Sequence, residues 1–124
     1  MGAAETTGRR ALGEYGEQLA ARYLQERGMA VIERNWRCEH GELDLVARDG
    51  DCLVFCEVKT RRAVGFGHPV EAVGHEKQRR LRVLAQRWLA AHDEHAPELR
   101  FDVVGVLVRT DRPALVNHLR AAFS

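Results

Sequence analysis

From Leu12 onward, Tyr15, Gly16, Leu19, Ala20 and Tyr23 recur at intervals of three and four residues, and Gly28 closes the run. That spacing predicts an amphipathic helix over about residues 11–27, with glycine as its C-terminal stop. Residues 1–9 carry no apolar periodicity and read as a flexible tail ahead of a single domain spanning 10–124. The pattern then shortens to strand-like runs. Val31-Ile32 leads to Asn35-Trp36-Arg37; Leu43 to Ala47 follows Gly41; Leu53 to Lys59 follows the turn residues Asp49-Gly50-Asp51. These predict three strands joined by hairpin turns.

The stretch from Arg61 to Pro69 holds two glycines and a proline and reads as a mobile loop. Val73, Lys77, Leu81, Leu84, Ala85 and Trp88 then restore helical spacing, predicting a second helix over roughly 70–91. Phe101 to Val108 follows as a fourth strand. A strand, a long helix and another strand form a crossover unit, so the third and fourth strands should be parallel neighbours. The order α-β-β-β-α-β implies an α/β fold, a mixed sheet flanked by helices. Pro113 to Phe123 fits either a short helix opened by proline or a strand.

Composition narrows the setting. A chain of 124 residues is long enough to bury a core without disulfides. No apolar run approaches the ~20 residues that span a bilayer, and the polar N-terminus does not resemble a signal peptide, so a cytoplasmic protein without a membrane partner is expected. Cys38, Cys52 and Cys56 are an odd number, which argues against a disulfide framework. A zinc site is also disfavoured. Cys52 and Cys56 lie about 13 Å apart along one strand, too far to share an ion. The formal net charge of +1 excludes a protein that coats nucleic acid through bulk charge. Among 19 basic residues only Lys59 and Lys77 are lysines. A compact ammonium does chemistry that a guanidinium fork does not, which singles out both.

Alternate residues of a strand share a face, so Glu57 should point with Lys59, and Glu42 with Asp44 on the preceding strand. The hairpin brings the two pairs together. The third strand is otherwise apolar, and charges there cost several kcal/mol unless paired or metal-bound. One reading is a structural Glu57–Lys59 ion pair. The other has Asp44 and Glu57 binding Mg²⁺, a hard cation suited to carboxylates, with Mn²⁺ as a substitute and Lys59 beside the attacking water. Phosphodiester hydrolysis is the reaction such a site performs.

These residues complete a resemblance covering about residues 8–123. Leu12-Gly13-Glu14-Tyr15-Gly16-Glu17, Asn35-Trp36-Arg37, Gly41-Glu42-Leu43-Asp44-Leu45-Val46-Ala47, Val54-Phe55-Cys56-Glu57-Val58-Lys59-Thr60-Arg61, Phe66-Gly67 and Arg100-Phe101-Asp102-Val103-Val104 resemble the YraN family of small bacterial proteins. That resemblance implies a restriction-endonuclease-like fold of the PD-(D/E)xK superfamily, similar to archaeal Holliday-junction resolvases. It implies Asp44, Glu57 and Lys59 as the signature residues, with Leu43 in place of the signature proline, and Glu17 as the helical acid completing the site. It also implies DNA as substrate, branched or structured DNA in particular, and a homodimer acting on two strands.

Glu42 is a secondary candidate acid. Arg61 and Arg62, directly after the signature, are candidates for holding a nucleic-acid backbone. Lys77, in the apolar stripe of the second helix, either snorkels past the core edge or meets substrate phosphate. The rival to a nuclease is a non-catalytic nucleic-acid-binding or adaptor module that keeps the fold.

Overall fold

The structure is a computed structural model that describes residues 2–63 and 73–124, with side chains from residue 8 onward. Its elements are α1 (Gly2–Glu26), β1 (Ala30–Cys38), β2 (Gly41–Asp49), β3 (Cys52–Arg62), α2 (His75–His92), β4 (Glu98–Val108) and β5 (Leu115–Phe123). The five strands form one sheet in the order β1-β2-β3-β4-β5. The neighbours pair antiparallel except β3 and β4, which run parallel as the crossover required. No helix among the described residues is long and apolar enough to cross a membrane.

Each face of the sheet buries one helix. Ala20, Ala21 and Leu24 of α1 pack on Leu45, Ala47, Val54, Cys56, Val104 and Val106. Leu81, Leu84, Ala85 and Trp88 of α2 pack on Leu43, Val46, Leu53, Phe55, Phe101 and Val103. Strand alternation accounts for this division: in β3 the even-numbered residues face α1 and the odd-numbered ones face α2. Both faces are covered, which is why Cys52 to Cys56 are all buried and the strand reads as an unbroken apolar run. Cys52 and Cys56 are core residues and all three cysteines are free.

Several boundaries differ from the sequence reading. α1 starts at Gly2, so residues 2–9 continue the helix instead of forming a loose tail; once a helix is anchored by its packed half, propagation backwards is easy. Arg61 and Arg62 extend β3, where they pair with Leu107 and Val108 of β4; of the expected loop, Ala63 follows the strand, and the part over 64–69 lies outside the described residues. Val73 and Gly74 precede α2, with Gly74 extended at its N-cap (φ −67°, ψ 162°). The C-terminal element is a strand, because β4 would otherwise expose a free edge that β5 fills.

One buried ionic network holds the far end of the sheet. Arg100 Nε and Nη2 donate to the two oxygens of Asp102 at 2.9 and 3.0 Å, and Arg100 Nη1 donates to Asp49 of β2 at 2.9 Å. Asp102 also receives the Ala121 N–H at 3.0 Å and meets His118 Nε2 at 2.7 Å. Burial pushes the Asp102 carboxyl up, but hydrogen bonds from His118, Arg100 and Ala121 outweigh it and hold the group at about 2. A carboxyl held low stabilises the fold above its ordinary range near 3.8 and loses that contribution as pH falls towards 2. Asp102→Ala, which leaves Arg100 and His118 without their partner, should cost about 3 kcal/mol in urea unfolding at pH 7. The difference from the wild type should shrink on acidification from pH 4 to pH 2.

Candidate metal centre

The β2–β3 ladder runs from Asp49↔Cys52 to Leu45↔Cys56 and stops there. Leu43 and Val46 of β2 both face α2, three residues apart, so the alternation breaks at Asp44. β3 stays paired with β4 as far as Arg62↔Val108. The next inward N–H of β3, that of Val58, therefore lacks a strand carbonyl. Asp44 Oδ2 accepts it at 2.8 Å, taking the carbonyl's place.

Where the strands part, a cavity of about 500 Å³ opens between them, reaching α1 on one side and α2 on the other. Glu17, Glu42, Asp44 and Glu57 line it, with Arg9, Lys77 and Arg80. α1 approaches β3 so closely here that a Cβ on buried Gly16 would sit 1.8 Å from Thr60 Oγ1. That contact sets the next residue, Glu17, against β2. One carboxylate oxygen each from Glu17, Glu42 and Asp44 lie within 4.8 Å of one another.

Neighbouring donors hold two of the acids in place. Asn35, between Arg34 and Trp36 of β1, has φ 53°, a left-handed conformation that asparagine tolerates better than most residues. With its amide nitrogen turned inward, Asn35 donates to Glu42 Oε1 at 2.9 Å and to Glu17. Arg37 Nε reaches Glu42 Oε2 at 2.9 Å. On the α2 face, Lys77 Nζ reaches Glu57 Oε1 at 2.8 Å, and the Glu57 side chain is 12% exposed.

The acids outnumber the cations among them. Burial pushes Asp44 up to about 7, with Glu57, Glu17 and Glu42 adding to the rise and the Val58 N–H opposing it. Glu17 is raised too, first by burial and then by Glu42 and Glu14, against Arg34 and Arg37. Ligand oxygens of one octahedral Mg²⁺ lie about 3–4 Å apart. A carboxylate set this close needs little contraction to hold such an ion.

The family model described as Uncharacterised protein family UPF0102 matches residues 16–106. The chain belongs to the UPF0102 family. A UPF0102 protein of Beutenbergia cavernae is 61% identical over 110 residues, covering 89% of this chain and 93% of its own. One from Streptomyces griseus is 61% identical over 113 residues, covering 90% and 95%. One from Acidothermus cellulolyticus is 48% identical over 131 residues, covering 98% and 99%.

In this UPF0102 domain, the sequence candidates are distributed unevenly. Glu17, Asp44 and Glu57 all line the cavity, and the group of three carboxylate oxygens lying close together is that of Asp44, Glu17 and Glu42. Glu57 takes its cation from Lys77 of α2; the ion pair with Lys59 is not formed. Lys59 is half-buried on the face of Glu57 and does not line the cavity. Arg61 and Arg62 are exposed at the end of β3, also outside the lining. Sequence reasoning missed the roles of Gly16, Asn35, Arg37 and Arg80. A signal existed for Asn35 and Arg37, which lie in the Asn35-Trp36-Arg37 stretch singled out for its resemblance.

Two measurements check this geometry. Gly16→Ala should destabilise the fold by about 2 kcal/mol through the clash with Thr60, and Thr60→Gly should recover part of the loss in the double variant. An acid raised in the folded state becomes increasingly unfavourable as pH climbs from its unfolded value to its folded one, here from 3.8 to about 7. In metal-free buffer, Asp44→Asn should therefore gain stability over the wild type as pH rises, on the order of 2 kcal/mol by pH 8. Chemical unfolding across that range reads it.

Proposed function

We propose that this protein is a divalent-metal-dependent nuclease that hydrolyses phosphodiester bonds of DNA, with branched or structured DNA as its substrate class. The observation that carries the reading is the convergence of Glu17, Glu42 and Asp44 in a cavity shared with Glu57 and Lys77. The resemblance of the Asp44 and Glu57-Val58-Lys59 stretches to the YraN family and the PD-(D/E)xK superfamily supports it. So does the mixed sheet with one helix on each face, the architecture that the resemblance implies.

The donor set fits the ion. All three ligands are carboxylates, Glu17 from α1 and Glu42 and Asp44 from β2, the hard oxygen chemistry of Mg²⁺ or Mn²⁺, and the free cysteines take no part. When bound, the ion would supply Lewis acidity to a phosphodiester oxygen and lower the pKa of an attacking water. The chain's own residues supply the rest. Glu17, Glu42 and Asp44 would hold the ion, with Asn35 and Arg37 orienting Glu42 and the Val58 N–H orienting Asp44. Lys77, anchored by Glu57, brings an ammonium into the cavity where charge builds up on phosphate. Lys59 would act from the same strand face as Glu57. Arg9 and Arg80 would position the nucleic-acid backbone at the cavity wall, with Arg61 and Arg62 farther along it. Cutting two strands of a junction calls for two such sites, hence a homodimer.

The test is cleavage of labelled linear, flapped, four-way-junction and RNA substrates with Mg²⁺ or Mn²⁺, beside Asp44→Asn, Lys59→Ala and Lys77→Ala proteins. Metal-dependent cutting of DNA that falls at least 100-fold in Asp44→Asn is the expected result, with light scattering giving a dimer. No cutting of any substrate, or equal cutting by Asp44→Asn, would overturn the enzyme reading in favour of a non-catalytic nucleic-acid-binding module.

A further inference from the structure

The Arg100-Phe101-Asp102 stretch takes no part in the acidic cavity. Asp102 sits level with Cys56 and Leu45 in the sheet, but its side chain meets Arg100 and His118, and Arg100 leads away from the acidic cavity to Asp49, five residues, or about 17 Å, beyond Asp44 along β2. Beside this network is a second cavity of about 390 Å³, lined by Tyr23, Arg27, Met29, Asp49, His118 and Arg120.

His118 is built into it. Its side chain is 4% exposed and its Nε2 meets the fully buried Asp102 at 2.7 Å. Asp102 is ionised, so Nε2 carries the proton and Nδ1 is left over. Nδ1 has no hydrogen-bond partner among the described residues, yet none of their buried side-chain nitrogens or oxygens is without one. Nδ1 is therefore the accessible nitrogen of a ring that lines the cavity. Edge-on packing against Tyr23, with ring centroids 5.6 Å apart, fixes the ring.

Two guanidiniums line the same cavity. Arg27 lies over the Tyr23 ring at 3.7 Å, and Arg120 spends one N–H on Asp49 at 3.1 Å. With Arg100, three arginines face two carboxylates, an excess of one positive charge. A network that served only to tie strands together would need neither the cavity nor the extra pair at its mouth. Arginine forks around an imidazole suit a tetrahedral oxyanion with several acceptor oxygens.

We propose that this cavity is a second ligand site that binds a phosphate group, held by Arg27, Arg120 and His118 Nδ1. Nδ1 donates to a phosphate oxygen when protonated and, when neutral, accepts from the P–OH of a free phosphate or monoester; a phosphodiester, which has no P–OH, is held by the two guanidiniums and by Nδ1 only in its protonated form. The phosphate belongs either to a free small molecule or to a nucleic-acid backbone, and the inference does not depend on the metal centre being catalytic.

The experiment follows the His118 ring signals by NMR in the full-length chain at constant ionic strength. Inorganic phosphate, a mononucleotide and a single-stranded oligonucleotide are titrated in turn. Arg27 and Arg120 are exposed, so an Arg27→Gln/Arg120→Gln variant should keep the fold, which its thermal unfolding verifies. A saturable shift with inorganic phosphate, at least tenfold weaker in the variant, is expected. The same pattern with the oligonucleotide alone would also support the site and assign the phosphate to a polymer backbone. No saturable shift with any of the three, or equal affinity in the variant, would overturn it.

Discussion

The hydrogen bond from the Val58 N–H to Asp44 Oδ2 is the contact on which the acidic cavity depends. A strand that loses its neighbour midway exposes a backbone donor, and leaving such a donor buried and unpaired costs about 1–3 kcal/mol. β3 cannot follow β2 outward, because its parallel ladder with β4 continues to Arg62. β2 therefore peels away alone, and a carboxylate is the side chain that can span the gap to the abandoned N–H. The opening and the acid at its base are one event. Glu42 lies on the departing segment and Glu57 on the one that stays, with Glu17 supplied by a helix that Gly16 lets close on Thr60.

Two polar groups of the sheet carry opposite electrostatics. At the open end, Glu17, Glu42, Asp44 and Glu57 crowd together and the buried Asp44 is pushed up to about 7. On β4, Arg100, His118 and the Ala121 N–H converge on Asp102, which is fully buried yet held at about 2. Burial raises both carboxyls, so the difference lies in the donors supplied. A surplus of acid awaits a cation; a surplus of arginine awaits an anion. The apolar middle of β3, from Leu53 to Cys56, anchors both cores.

Membership of the UPF0102 family adds the context that sequences from several genera share most of this chain's length. The function offered above rests on the chemistry of the site, since one fold can serve catalysis or binding alike. Within that site, the acids are held by different means: Asp44 by backbone, Glu42 by Asn35 and Arg37, and Glu57 by Lys77. Side chains locked in this way lose little freedom when a ligand arrives.

Much of the architecture was legible in the amino-acid order because it depends on local periodicity. The spacing of Leu19, Ala20 and Tyr23, the unbroken run from Cys52 to Cys56 and the turn at Gly50 each report backbone geometry within a few residues. The acids Asp44 and Glu57 stood out for the same reason, as charges in strands that burial makes costly. Only the tertiary structure decided what those charges meet. Alternation puts Lys59 on the face of Glu57, but the ammonium that reaches Glu57 comes from Lys77, on a helix whose position follows from packing Leu81, Leu84 and Trp88 on the sheet. The cluster of Glu17, Glu42 and Asp44 needs a helix and a strand distant in sequence, the strand displaced by a break in alternation that no periodicity forecasts. The final segment became a strand because β4 had an edge to fill. Local pattern determines which residues share a face; only the packed sheet decides which faces meet.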